Sequence, residues 1–294
     1  MDPDKKRKRR LIIVSGLSGS GKSVVLNTLE DLDFFCIDNL PLDLFEQLAT
    51  LLTDENRNFP LYVGVGIDAR SPENELSVLP DSIASLRQRG IAVDLVFVEA
   101  SKSVLTTRFG ETRRKHPLSN RDMPLSDAID RESGILDALS GQADLRIDTS
   151  HTSVHELRDI VRQRLANRPV GAMSLQFISF GYKKGIPRDA DFMFDVRCLG
   201  NPHWVEALRG LTGRDDKVRD FLSSQPDVVR MYQDISGYLE RWLPEFEAEN
   251  RSYLSVAIGC TGGRHRSVYF VERLADQFHK AGKHVVVRHR DLDE

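Results

Sequence analysis

The chain has 294 residues, 40% hydrophobic and 29% charged, with a formal net charge of −3 at pH 7. These are globular proportions, the length favours two domains, and the charge does not mark a general nucleic-acid binder. No apolar run approaches the ~18 residues of a membrane span. Cys36, Cys198 and Cys260 are scattered and odd in number, which argues against a disulfide framework and for a reducing cytoplasm.

The first ten residues carry six Lys or Arg and no secretory core follows them, so residues 1–10 are expected to form a flexible basic arm. Residues 11–14 (Leu-Ile-Ile-Val) read as a short buried strand. Gly16-Leu17-Ser18-Gly19-Ser20-Gly21-Lys22-Ser23 then matches G-x-x-x-x-G-K-[ST], the phosphate-binding P-loop, and leads into a helical pattern of Val25, Leu26, Leu29 and Leu32. In such a loop the glycines let backbone N–H groups face phosphate oxygens and the helix adds its positive end. Lys22 is expected to reach the outer phosphates and Ser23 to ligate Mg²⁺, so both are assigned to the catalytic centre.

Further along, strands are predicted over 34–37, 61–67, 91–98 and 145–148, with helices over 42–52, 81–89 and from about 102. Ser153-Val154-His155-Glu156 matches a capping box that opens another helix. This alternation predicts an α/β fold: an N-terminal doubly wound parallel-sheet P-loop domain over 11–167. The loops at the carboxyl ends of its strands should then surround the P-loop. Asp38, Asp68, Glu99 and Asp148 all follow strand-like runs; each is a candidate for holding Mg²⁺ or orienting water, or is merely a turn cap. Arg108, Arg113, Arg114, Lys115 and Arg121 form a basic cluster, and Arg113 and Arg114 are candidates for a phosphate lid or an RNA contact.

Residues 166–171 break the pattern and mark a boundary before a smaller C-terminal α/β domain over 171–294. There, residues 253–258 form a strand candidate before Cys260-Thr261-Gly262-Gly263-Arg264-His265-Arg266-Ser267, followed by an amphipathic helix. The spacing C-x-x-G-x-x-R-[ST] is that of a cysteine-phosphatase phosphate loop. Gly259 stands where those enzymes usually carry histidine, and no general-acid loop is apparent, so phosphate binding ranks first, a structural turn second and thiolate attack last. His203, beside Trp204, and the glycine-punctuated basic stretch 179–185 are further candidates for contact with an anion or RNA. His151 and His155 lack a third ligand and do not make a zinc site.

Together these stretches resemble the RapZ/YvcJ family of P-loop nucleotide-binding proteins. The resemblance rests on the P-loop, Asp38-Asn39-Leu40-Pro41, Arg113-Arg114-Lys115-His116-Pro117-Leu118, Ser179-Phe180-Gly181-Tyr182, Gly185-Ile186-Pro187, Asn201-Pro202-His203-Trp204 and the 257–267 loop. It implies a kinase-like domain that binds and hydrolyses ATP or GTP with Mg²⁺. It implies a second nucleotide motif at Asp68-Ala69-Arg70-Ser71. It also implies a C-terminal domain that binds small RNA for an endoribonuclease and senses glucosamine-6-phosphate through His203, Thr261, Gly262 and Arg266. Homo-oligomers are implied as well. A phosphosugar or other small-molecule kinase is the alternative. The chain departs from RNA-binding members at its end, where Asp291, Asp293 and Glu294 offset the preceding basic residues; the 5–10 arm is a candidate substitute.

Overall fold

The computed structural model describes residues 9–54, 57, 59–70, 76, 78–112, 114–120, 122–166, 172–249 and 251–292. The chain divides into two compact units, one ending at Asn167 and one starting at Arg168.

In unit 1 five parallel strands, β1 (Arg10–Gly16), β2 (Phe35–Ile37), β3 (Tyr62–Gly66), β4 (Ala92–Glu99) and β5 (Leu145–Asp148), lie in the order β2-β3-β1-β4-β5. β1 is central: Ile13 pairs with Val65 on one side and Leu95 on the other. Every residue of β1 is buried, as expected of a parallel strand covered on both faces. Leu11, Ile13, Val63, Val65 and Leu95 share one core cluster with α2 (Phe45–Thr53), α3 (Leu79–Gln88) and α5 (Leu125–Gln142). On the opposite face α1 (Lys22–Glu30) packs on β1, β2 and β3 and against α6 (Val154–Val161). After β4 comes α4 (Lys102–Thr112).

Two local readings need correction. Arg9 and Arg10, assigned above to a flexible arm, belong to the fold. Arg9 donates to the carbonyls of Leu51, Leu52 and Asp54 and so closes the end of α2. Arg10 is buried, paired with Asp94 at 2.8 Å and bonded to Leu165 O at 2.5 Å. The rest of the arm, and most of the 166–171 boundary, lie outside the described residues. The sequence reading also passed over α5, whose interior Gly134 and Gly141 lower its helix propensity.

Unit 2 is a second parallel sheet, of β6 (Ser174–Gly181), β7 (Phe192–Asp195), β8 (Tyr253–Cys260) and β9 (His284–His289), in the order β7-β8-β6-β9. It also contains α7 (Asp216–Ser223), α8 (Pro226–Ala248) and α9 (Arg266–Lys280), with Phe177, Val256, Ile258, Phe270 and Leu274 in its core. Register places Gly181 beside Cys260 and Asp195 beside Gly259, so the loops leaving β6, β7 and β8 share one edge. No described helix is long and apolar enough to cross a membrane.

Candidate functional site

The P-loop leaves the carboxyl end of β1. Gly16 has φ +140°, and a Cβ there would lie 2.0 Å from Val98 O, so only glycine lets the loop rise beside β4. Gly21, at φ +115°, turns the chain into α1. The first turn of α1 has no side-chain cap and no acidic residue among its described residues. α6 is the contrast: Ser153 and Glu156 close its N-terminus reciprocally, at 2.6 and 3.2 Å. The open end of α1 therefore retains N–H donors and the positive end of its dipole.

Lys22 Nζ donates to Gly16 O at 2.6 Å, which folds its side chain back over the loop. Burial lowers its pKa, opposed by the charges of Glu132, Asp68 and Asp38. Ser23 is exposed at the start of the helix, and Gly19 is exposed at the loop tip. The hydroxyls of Ser15 and Ser20 are buried without a hydrogen-bond partner.

Sequence alone did not rank the four acids that follow strands; the structure separates them. Asp38 and Asp68 both act on the Lys22 charge. Gly66 makes room for Asp38, whose Oδ1 would lie 2.8 Å from a Cβ at that position. Glu99 is paired with Arg146 at 2.6 Å, and Asp148 Oδ1 accepts from the amide and hydroxyl of Ser150. In the Asp68-Ala69-Arg70 turn, the Arg70 guanidinium forks onto the Asp68 carboxylate at 2.9 and 2.7 Å and also bonds Asn39 Oδ1. Burial pushes the Asp68 pKa up, but the Arg70 donors and the Arg70 and Lys22 charges outweigh it and hold it below the usual range. Ala69 packs in the core. Ser71 and Arg113 lie outside the described residues, and Arg114 is exposed beyond α4.

Sequence reading missed how the loop is supported. Glu132, 1% exposed, accepts from the Ser18 amide at 2.8 Å and the Ser18 hydroxyl at 2.7 Å, and meets His116 Nε2 at 3.1 Å. Its sequence signal was a glutamate in the same helical register as Ala128, Ile129, Leu136 and Leu139, all buried. Leu17 N donates to Val98 O at 3.1 Å, holding the loop to β4. Thr149 donates to Ser20 O at 2.7 Å, and Arg108 bridges Gly19 O and Thr149 at 3.1 and 3.0 Å.

In unit 2 the loop after β8 also runs into a helix whose described N-terminus has no side-chain cap and no acidic residue in its first turn. Arg266 is buried. Its Nη1 donates to Arg197 O at 2.8 Å and Leu199 O at 2.7 Å, its Nη2 reaches Thr261 Oγ1 at 3.3 Å, and its Nε is buried without a partner. Thr261 and Gly262 are exposed, as is His203, whose ring lies 6.4 Å from that of His265. Burial lowers the pKa of His265, with the Arg264 and His203 charges adding to the effect against the Leu208 carbonyl. Arg197, absent from the sequence candidates, stacks 3.8 Å over the Tyr182 ring and grips Asp195. Cys260 points into the apolar core, and its Sγ lies 3.1 Å from Ser267 Oγ. A thiol packed in that way is a core residue.

Both halves match known families: residues 9–168 the RapZ-like N-terminal domain, and residues 173–293 the RapZ C-terminal domain. A protein of Halorhodospira halophila named nucleotide-binding protein is 50% identical over 285 residues, 96% of this chain and 98% of its own. One of the same name from Azotobacter vinelandii is 50% identical over 283 residues, 96% and 99% of the two chains. Shikimate kinase from Acinetobacter baumannii aligns with 55% of this chain and 96% of its own, at 18% identity and a TM-score of 0.36. With each half matched over its own span and relatives half identical along almost their whole length, the chain belongs to the RapZ family.

Proposed function

We propose that the protein is a nucleotide-regulated RNA adapter that binds ATP or GTP with Mg²⁺ in unit 1 and senses glucosamine-6-phosphate in unit 2. The carrying observation is the arrangement around Lys22. A glycine loop leads into an uncapped helix, the ammonium is folded onto Gly16 O, and the charges of Asp38 and Asp68 act on that ammonium. This donor set fits a polyphosphate and its cation. Loop N–H groups and Lys22 neutralise phosphate charge, Ser23 and the carboxylates of Asp38 or Asp68 supply hard oxygen ligands, and the unpartnered Ser20 hydroxyl is a spare polar group beside them. When bound, Mg²⁺ supplies charge neutralisation between phosphates. Arg70, pinned by Asp68 and Asn39, holds the edge of that site, and Arg113 and Arg114 are the candidates for a lid or an RNA contact. Slow hydrolysis of the bound nucleotide is part of this reading. The names of the relatives in Halorhodospira and Azotobacter agree with nucleotide binding.

In unit 2 the exposed Thr261 and Gly262 backbone, the buried Arg266 and His203 make a smaller anion site suited to a sugar phosphate. Arg266 connects the site to the 197–199 turn through two carbonyls, so occupancy there bears on that turn. Small RNA, an endoribonuclease and further copies of this chain are the proposed partners, in the cytoplasm. A small-molecule kinase is the second reading; the two carboxylates acting on Lys22 favour it, because an acceptor hydroxyl needs a base.

The test is binding of a labelled small RNA at two salt concentrations, with and without nucleotide and glucosamine-6-phosphate. Tight, salt-sensitive binding that shifts with either ligand supports the adapter. Binding indifferent to both ligands, or none, contradicts it. Nucleotide consumption matched one to one with phosphorylation of an acceptor supports the kinase instead.

A further inference from the structure

The carboxyl-terminal residues were read above as a charged tail whose acids offset its basic residues. In the structure the described ones are built into the sheet. Arg288 lies 3.5 Å from Asp189, His289 Nε2 lies 3.0 Å from Glu272 and Arg290 Nη2 lies 2.7 Å from Asp291, so all three basic side chains meet acids of unit 2. The Arg290 and Asp291 side chains are 4% and 1% exposed.

What these two residues touch is the edge that carries the proposed phosphosugar site. Arg290 N donates to Ser179 O at 3.0 Å, which continues the β6–β9 ladder by one step. Its guanidinium passes 5.4 Å from the Phe180 ring centroid and donates to Gly185 O at 2.7 Å and Gly181 O at 3.3 Å. Asp291 Oδ2 accepts from Gly181 N at 2.7 Å. Gly181 in turn lies directly against the glycine loop: a Cβ there would meet Gly262 C at 2.6 Å and Gly263 N at 2.8 Å. A Cβ on Gly263 would meet Gly181 N at 2.8 Å and Asp291 Cβ at 2.9 Å. The backbones at Gly181 and Gly262–Gly263 and the Asp291 side chain thus close on one another, with no space for a Cβ on Gly181 or Gly263. Lys183 N reaches Thr261 O at 3.3 Å from the same turn.

We propose that Arg290 and Asp291 are positioning residues for the sugar-phosphate site, forming a strap that fixes the 261–263 loop against the end of β6. The proposal rests on the unit 2 reading given under the proposed function. Asp291 sets the height of the loop through Gly181. A lone carboxylate this close to an anion site would repel the ligand, and Arg290 neutralises it within the same strap. Arg290 and Asp291 therefore serve the ligand site.

The test uses the full-length protein, D291A and D291N. Calorimetric titration with glucosamine-6-phosphate and with inorganic phosphate is combined with hydrogen–deuterium exchange across residues 181 and 261–266. Nucleotide titration of unit 1 serves as the folding control. The expected result is at least a tenfold loss of glucosamine-6-phosphate affinity in D291A with nucleotide affinity unchanged, faster exchange in the 261–266 amides, and partial rescue in D291N, which keeps an acceptor for Gly181 N. If D291A binds glucosamine-6-phosphate as the wild type does, the positioning role is overturned and the ligand reading stands. If the wild type binds neither probe while D291A still exchanges faster, the ligand reading fails, and the strap is a structural clasp, which also overturns the positioning role. Equal losses in D291A and D291N, with exchange unchanged in both, overturn it as well.

Discussion

The Glu132 carboxylate holds the amide and the hydroxyl of Ser18 at once, at 2.8 and 2.7 Å, so a residue of α5 fixes the floor of the P-loop. Glu132 also meets His116, which follows the basic stretch after α4. Removing the carboxylate leaves two loop donors and a buried imidazole without their acceptor. E132A is expected to destabilise unit 1 by about 3 kcal/mol, and E132Q by less because one acceptor oxygen remains. Urea unfolding of the full chain measures this. An E132A midpoint equal to that of the wild type would contradict the support role.

Gly16 and Gly134 provide an opposed pair. A Cβ at Gly16 would sit 2.0 Å from Val98 O, on a backbone with φ +140°, whereas one at Gly134 in α5 meets nothing within 4 Å. G16A should therefore lose unit 1 stability by several kcal/mol, about 3 or more, and lose nucleotide binding with it. G134A should gain about 0.5–1 kcal/mol through helix propensity alone. Thermal unfolding of the two variants decides both expectations.

What was legible in the chain is local. Gly16 to Ser23, the alternation of strands with helices and the Ser153–Glu156 box are patterns within a few residues, and each produced the element expected. What was not legible is contact across the chain. Ser18 and Glu132 are 114 positions apart, and Gly181 and Asp291 are 110 apart. Arg9, Arg10 and Asp291 carry charges, which in sequence read as solvated. Their places in the fold depend on carbonyls, carboxylates and an amide that only the fold brings within reach. The four strand-end acids looked alike for the same reason, until Arg146 and Ser150 engaged two of them.

Unit 2 should lose stability in acid through Glu272. The His289 and Arg214 hydrogen bonds and charges outweigh burial and lower its pKa from 4.5 to about 2. The carboxylate form is thus favoured in the folded state. Its stabilisation is complete above pH 4.5 and disappears as pH falls through about 2. Because the Glu272 side chain is 30% exposed, solvent screening limits this to about 1–2 kcal/mol. E272Q should be less stable than wild type at neutral pH and should show a flatter acid limb in thermal unfolding followed between pH 5 and pH 2. A parallel acid limb would contradict this account.

Everything proposed for unit 1 depends on nucleotide binding by the loop around Lys22. Calorimetric titration of Mg·ATP and Mg·GTP into the wild type and K22A tests it most directly. The wild type should bind at least one nucleotide saturably, and K22A should lose roughly a hundredfold in affinity, equivalent to about 3 kcal/mol for a charge-assisted phosphate contact. K22A that binds as tightly as the wild type, or a wild type that binds neither nucleotide, would contradict it.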